Sequence, residues 1–231
     1  MFKRPFGIVG FSGLGAAITP LVATLLALSL PAHAATADFT SSYKGGSSSC
    51  NTTYQIKGKE PADSSRHPVF IYMVGTSDTY DNAQAMAAVQ GMADRGYVAA
   101  TIQYANSAMG YCNTLSTRSK CIFDQASAQS AVAALCARDQ ADCSKGIVVG
   151  GFSQGALLGI LSKNFDARVE AVYATGAHKN YIIYNVNTCV GHGNRALPQG
   201  NQNSLDTGWL TGTGAWALNA NLDWLTHFTA P

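Results

Sequence analysis

No Cys-x-x-Cys pair and no paired-histidine spacing occurs in the 231 residues, so the usual spacings of structural zinc sites do not account for the six cysteines. Blocks of one charge are missing too. Charged residues make up 12% of the chain, 15 basic against 13 acidic, which leaves no electrostatic footprint for nucleic acid. There is no internal repeat, no long linker and no glycine loop of the phosphate-cradling kind. The glycines from Gly10 to Gly15 fall in the N-terminal leader and do not count. Beyond residue 34 no apolar run is long enough to cross a bilayer.

What is present begins with that leader. Lys3 and Arg4 precede an uncharged stretch from Pro5 to Leu30, followed by Pro31 and the small-residue site Ala32-His33-Ala34. This is the pattern of a signal peptide, and the Ala-x-Ala site favours cleavage over retention as an anchor. The expected exported chain runs from Ala35 to Pro231 as a single domain. It has no net charge, because the leader removes two basic residues and no acid. A secreted or periplasmic location follows, with no membrane contact after cleavage and a monomer as the simplest state. All six cysteines lie in the exported part, and an even number there predicts three disulfides. Short loops make Cys112–Cys121 and Cys136–Cys143 the simplest pairs, leaving Cys50–Cys189 among the fifteen possible pairings.

Strands and helices alternate along the chain. Residues 35–67 are polar and turn-rich, with one strand-like stretch, Thr53 to Ile56, expected at a sheet edge. Val69 to Val74 is a continuous apolar run closed by Gly75 and reads as a strand buried on both faces. Asp78 and Asp81 mark a helix start, and Met86, Val89, Met92 and Ala93 recur at helical spacing until Gly96. Tyr97 to Ile102 is the next strand. A polar loop holding Cys112 and Cys121 is expected to lead to Asp124, which would cap a helix carrying Ala128, Ala131, Val132 and Leu135. The strand Ile147 to Val149 follows, then a helix marked by Leu157, Leu158, Ile160 and Leu161, and a strand from Val169 to Ala174. This order predicts an α/β fold with a mostly parallel sheet covered on both faces.

Between Ile147 and Ala156 a buried strand runs straight into a helix through Gly151-Phe152-Ser153-Gln154-Gly155. A serine in such a turn takes a strained backbone, and glycines two positions to either side let strand and helix approach without colliding β-carbons. The helix that starts at Gln154 points its free amides and positive dipole end at the place where an oxyanion would form. The bland alternative, a glycine-rich turn with an incidental serine, does not account for the strand before it and the helix after it.

Here the chain resembles the α/β-hydrolase superfamily, and within it the secreted serine esterases of the cutinase and dienelactone-hydrolase-like polyesterase kinds. The resemblance covers about Pro68 to Thr175 and includes the Gly-aromatic-Ser-Gln-Gly elbow. It implies acyl transfer through Ser153 on an ester substrate, polymeric or lipid-like, with no metal or organic cofactor. It also implies an oxyanion site made by the backbone amides of Gln154 and of Thr76, in the loop after the first strong strand.

An acid and a histidine should then follow on loops after two further strands. Beyond Thr175 the carboxylates are Asp206 and Asp223, and the histidines are His178, His192 and His227. His192, flanked by Gly191 and Gly193, is the candidate base and Asp206 the candidate acid, although that pair reverses the superfamily's chain order. Trp216 to Phe228 reads as a closing helix, on which Asp223 and His227 would touch across one turn. Between the Val169 strand and that helix lie about forty residues, fewer than two strand-and-helix units need. The expectation is therefore a sheet lacking its last strands and an incomplete triad. The rival function is a binding or inert domain on the same fold.

Overall fold

The computed structural model describes residues 35–45, 48–110, 112–175 and 215–229. Six strands form one sheet: β1 (Thr36–Tyr43), β2 (Tyr54–Pro61), β3 (Val69–Met73), β4 (Val98–Ile102), β5 (Ile147–Phe152) and β6 (Val169–Thr175), in spatial order β1-β2-β4-β3-β5-β6. The first two pairings, β1 with β2 and β2 with β4, are antiparallel, and the remaining three are parallel. Every residue of β3 and of β4 is buried, as expected of strands covered on both faces.

Five helices, α1 (Ala83–Ala93), α2 (Cys112–Phe123), α3 (Ala131–Cys136), α4 (Gln154–Ser162) and α5 (Ala215–Leu225), complete the described chain. In α1 the buried residues Ala85, Ala88, Val89, Met92 and Ala93 form one stripe, the three-and-four spacing of an amphipathic helix. Its cap is Asn82, whose side chain accepts from the Ala85 amide. The aspartates expected at its start serve elsewhere: Asp78 accepts from the Gly75 amide, and Asp81 pairs with Lys57 at 2.9 Å. Nearly all of α4 is buried, because it lies between the sheet and α2, where Ser119 Oγ donates to the Leu158 carbonyl at 3.0 Å. Helix α5 docks on α1, with Leu222 against Gly91 and Asp223 paired to Arg95 at 2.7 Å.

Several expectations are corrected. The polar stretch from Cys112 to Phe123 is a helix rather than a loop. Leu115, Ser119 and Ile122 form its buried face, and a serine in that stripe hides the period. Asp124 caps only a turn, through the Ala126 amide, and Ser130 caps the helix that begins at Ala131. The N-terminal segment supplies two strands instead of one. Only Phe39 and Tyr43 of β1 are buried, too few to show a strand period. Asp223 and His227 do not pair, since Asp223 turns to Arg95 and His227 Nδ1 to the Trp224 carbonyl.

The disulfides also differ in part. Cys136–Cys143 forms as expected, but Cys121 pairs with Cys50 across 71 residues, which rules out both Cys112–Cys121 and Cys50–Cys189. The link ties the 3-10 turn Ser48–Cys50 to α2. Cys189 lies outside the described residues. If the chain holds three disulfides, Cys112 and Cys189 are left for each other. Non-reduced peptide mapping should then find a Cys112–Cys189 cross-linked fragment, and two alkylated thiols without reductant would refute it.

Candidate active site

Ser153 stands at the junction of β5 and α4 with φ 50° and ψ −115°, one of two non-glycine residues with positive φ among those described. That conformation costs on the order of 1–3 kcal/mol and persists only where the surroundings enforce it. The enforcing contacts are visible in the flanking glycines. A β-carbon on Gly151 would sit 2.5 Å from the Gly155 carbonyl group, and one on Gly155 would sit 2.2 Å from the Met73 carbonyl oxygen. Strand β5 and the first turn of α4 thus meet each other and β3 backbone to backbone. The Ser153 side chain does not cap the helix and is partly exposed.

The loop after β3 runs alongside. Met73 is in register with Gly151, so Gly75, Thr76 and Ser77 leave the sheet at the same edge as the elbow. Gly75 packs so closely on Phe152 that a β-carbon there would lie 2.9 Å from the ring. Thr76 and Gln154, the two residues expected to offer amides, therefore sit on neighbouring connections at the carboxyl ends of adjacent parallel strands, where open α/β sheets place their ligands.

Gln154 is fully buried. Its Oε1 accepts from the Gly110 amide at 2.7 Å and from Arg118 Nη1, two donors that fix which end of the amide is oxygen. Its Nε2 makes no hydrogen bond of ordinary geometry among the described residues. Burial pushes the neighbouring Tyr104 phenol well above its ordinary range, an effect that the Gln154 side chain and the Arg118 charge offset only in part. Tyr104 stays neutral and donates to the Val74 carbonyl at 2.6 Å. No sequence pattern marks the segment from Tyr104 to Gly110 or Arg118 as part of the site. A buried glutamine at the start of an apolar helix is the one signal that a polar partner has to come from elsewhere.

Strand order, parallel centre and elbow together settle the architecture. The fold is of the α/β-hydrolase type.

No family model matches the chain, and no curated protein matches it. Among solved structures it is similar to the esterase Est22, with 16% identity and a TM-score of 0.48 over 61% of this chain and 44% of that one. It is similar also to brefeldin A esterase, a bacterial homologue of human hormone-sensitive lipase, with 20% identity and a TM-score of 0.43 over 65% and 42%. A bacterial heroin esterase gives 15% identity and a TM-score of 0.48 over 63% and 46%. The chain thus spans less than half the length of these three structures.

His192 and Asp206, the candidate base and acid, lie outside the described residues, as does His178. Of the described histidines, His67 sits at the other end of the sheet. It precedes β3, bridges to Ala141 and holds Asp63 Oδ1 at 2.9 Å, about 20 Å from the elbow at 3.3 Å per strand residue. That contact holds the Asp63 carboxyl below the usual range. His227 follows α5. Among the described residues no group of three His, Cys, Asp or Glu gathers as a metal site would require, and no helix is long and apolar enough to cross a membrane.

Proposed function

We propose that the chain is an exported carboxylic-ester hydrolase acting through Ser153. The observation that carries this reading is the strained Ser153 backbone at a strand-to-helix junction with a glycine close contact on each side, because such strain persists where a site requires it. In the proposed reaction Ser153 Oγ attacks the ester carbonyl carbon, and its proton passes to a base. The amides of Gln154 and Thr76 hold the developing oxyanion, at the positive end of the α4 dipole. The collapsing intermediate expels the alcohol, which takes the proton from the base. Water then attacks the acyl-enzyme by the same steps and restores Ser153. His192 is the candidate base and Asp206 the candidate acid. No step calls for a metal or organic cofactor. A polymeric or lipid-like ester suits an exported enzyme.

Labelling by a fluorophosphonate, which needs an activated serine, tests this reading. The expected adduct is on Ser153, and an unlabelled folded chain would refute it. If His192 is the base, His192→Ala should lower kcat by about three orders of magnitude or more. An unchanged rate would remove it from the triad.

A second reading is favoured by one observation: residues 176–214 separate β6 from α5, little room for an acid loop and a histidine loop with their strands. On this reading Ser153 lacks a general base, and the domain binds ligands or is inert. A crystal structure showing an imidazole nitrogen within about 3 Å of Ser153 Oγ would exclude it.

A further inference from the structure

We propose that the segment from Tyr104 to Gly110, backed by Arg118 on α2, is a brace that fixes the spacing of the two amide donors beside Ser153, with Asn106 its central positioning residue. The inference rests on the ester-hydrolase reading above. The two donors belong to separate connections, one after β3 and one at the start of α4, and nothing in strand pairing alone sets the distance between their amides. The brace touches both. On the β3 side, Tyr104 Oη donates to the Val74 carbonyl at 2.6 Å. Asn106 Nδ2 donates to the carbonyls of Gly75 at 2.7 Å and Asp78 at 2.8 Å, and the Asn106 carbonyl accepts from the Ser77 amide at 2.8 Å. These three bonds straddle Thr76 and hold Ser77 at φ 64°, a conformation that an unbraced serine leaves.

On the α4 side the Gly110 amide donates to Gln154 Oε1 at 2.7 Å. Arg118 Nη1 donates both to that oxygen and to the Ala108 carbonyl, the latter at 3.0 Å. The Gln154 side chain is thereby tied to the segment that grips the Thr76 loop, while its backbone amide, at the first position of α4, is one of those that a helix leaves without an intrahelical partner. Thr76 Oγ1 reaches Met109 Sδ at 3.6 Å, closing the connection from the other side. The contact at Gly110 is close: a β-carbon there would lie 3.0 Å from Arg118 Nη1 and 3.3 Å from Gln154 Oε1, so these side chains would have to shift. Donors that stabilise an oxyanion are effective because they are already in place when charge develops, and a rigid link between the two achieves this.

Asn106→Ala removes both side-chain donors and leaves the fold's core untouched. With p-nitrophenyl acetate, kcat should fall about tenfold to a hundredfold while KM stays within about twofold, because the loss is felt only where charge develops. Inhibition by phenylboronic acid, whose adduct on Ser153 is a tetrahedral boronate with an oxygen where the oxyanion would form, should weaken by the same factor. Amide hydrogen exchange should quicken in peptides covering Gly75 to Asp78. Arg118→Met, a partly exposed position, should give the same kinetic pattern from the Gln154 side and serves where Asn106→Ala folds poorly. A lower Tm with unchanged kcat and unchanged boronate affinity per folded molecule would overturn the brace. A wild-type chain that neither labels nor turns over ester would instead sink the hydrolase reading, and the exchange data would separate that failure from failure of the loop contacts.

Discussion

Ser153→Ala should lower hydrolysis of short p-nitrophenyl esters by about four orders of magnitude or more, to whatever the oxyanion donors and binding alone sustain, while thermal unfolding barely moves. The two halves of this expectation have separate causes. The hydroxyl does not cap α4 and the residue is partly exposed, so removing one oxygen costs little packing. The backbone strain at φ 50° is shared by serine and alanine alike, because both carry a β-carbon. Ser153→Gly separates strain from chemistry. Glycine relieves on the order of 1–3 kcal/mol of strain and gives back about 0.4–1 kcal/mol through the freer unfolded chain. The Tm of Ser153→Gly should therefore exceed that of Ser153→Ala by several degrees, at about 2–4 °C per kcal/mol, with both variants inactive. Equal Tm values would mean that the elbow stores no more strain than the about 0.4–1 kcal/mol that glycine gives back. Retained turnover in either variant would move the nucleophile elsewhere.

How much was legible in the sequence follows from what each element buries. Strands β3, β4 and β5 announce themselves because they are covered on both faces and read as unbroken apolar runs. The elbow is legible because the close approach of two backbones admits only glycine at Gly151 and Gly155. Helix α2 is not, since its stability comes from packing on α4 and from the Cys50–Cys121 link rather than from the propensity of its Asn, Thr and Ser residues. The edge strand β1 fails for a related reason: with Phe39 and Tyr43 alone turned inward, backbone pairing with β2 outweighs the side-chain pattern. Long-range disulfide choice depends on which helix a turn packs against, and loop length does not report that. The Asn106 contacts are equally silent in sequence, because an asparagine in a loop after a strand looks like any turn residue until the partner carbonyls at Gly75 and Asp78 are in place.

The largest stability effect is expected at Gly155, and a glycine one turn away supplies its control. A β-carbon at Gly155 would lie 2.2 Å from the Met73 carbonyl oxygen, 2.5 Å from that of Val74 and 2.6 Å from the Met73 carbonyl carbon. All three are backbone atoms at the end of a central strand, held by parallel pairing to β4 and β5, so no rotamer change makes room. Either α4 lifts from the sheet or β3 loses its register, and overpacking of this kind costs about 3 kcal/mol or more. The better helix propensity of alanine returns only about 1 kcal/mol. At Gly159 in the same helix a β-carbon would first meet side-chain methyl groups, Val172 Cγ1 at 3.1 Å and Val149 Cγ1 at 3.2 Å, which can give by a few tenths of an ångström. Gly159→Ala should be near neutral. Gly155→Ala should unfold about 5–10 °C lower, from a net loss of at least about 2 kcal/mol at 2–4 °C each. It should also lose ester turnover at temperatures where it is still folded, since lifting α4 carries the Gln154 amide and Ser153 away from the Thr76 loop. Thermal melts of the two variants beside the wild type decide the matter. A Gly155→Ala chain as stable as Gly159→Ala would show that the strand-to-helix contact is looser than the geometry at Met73 and Val74 requires.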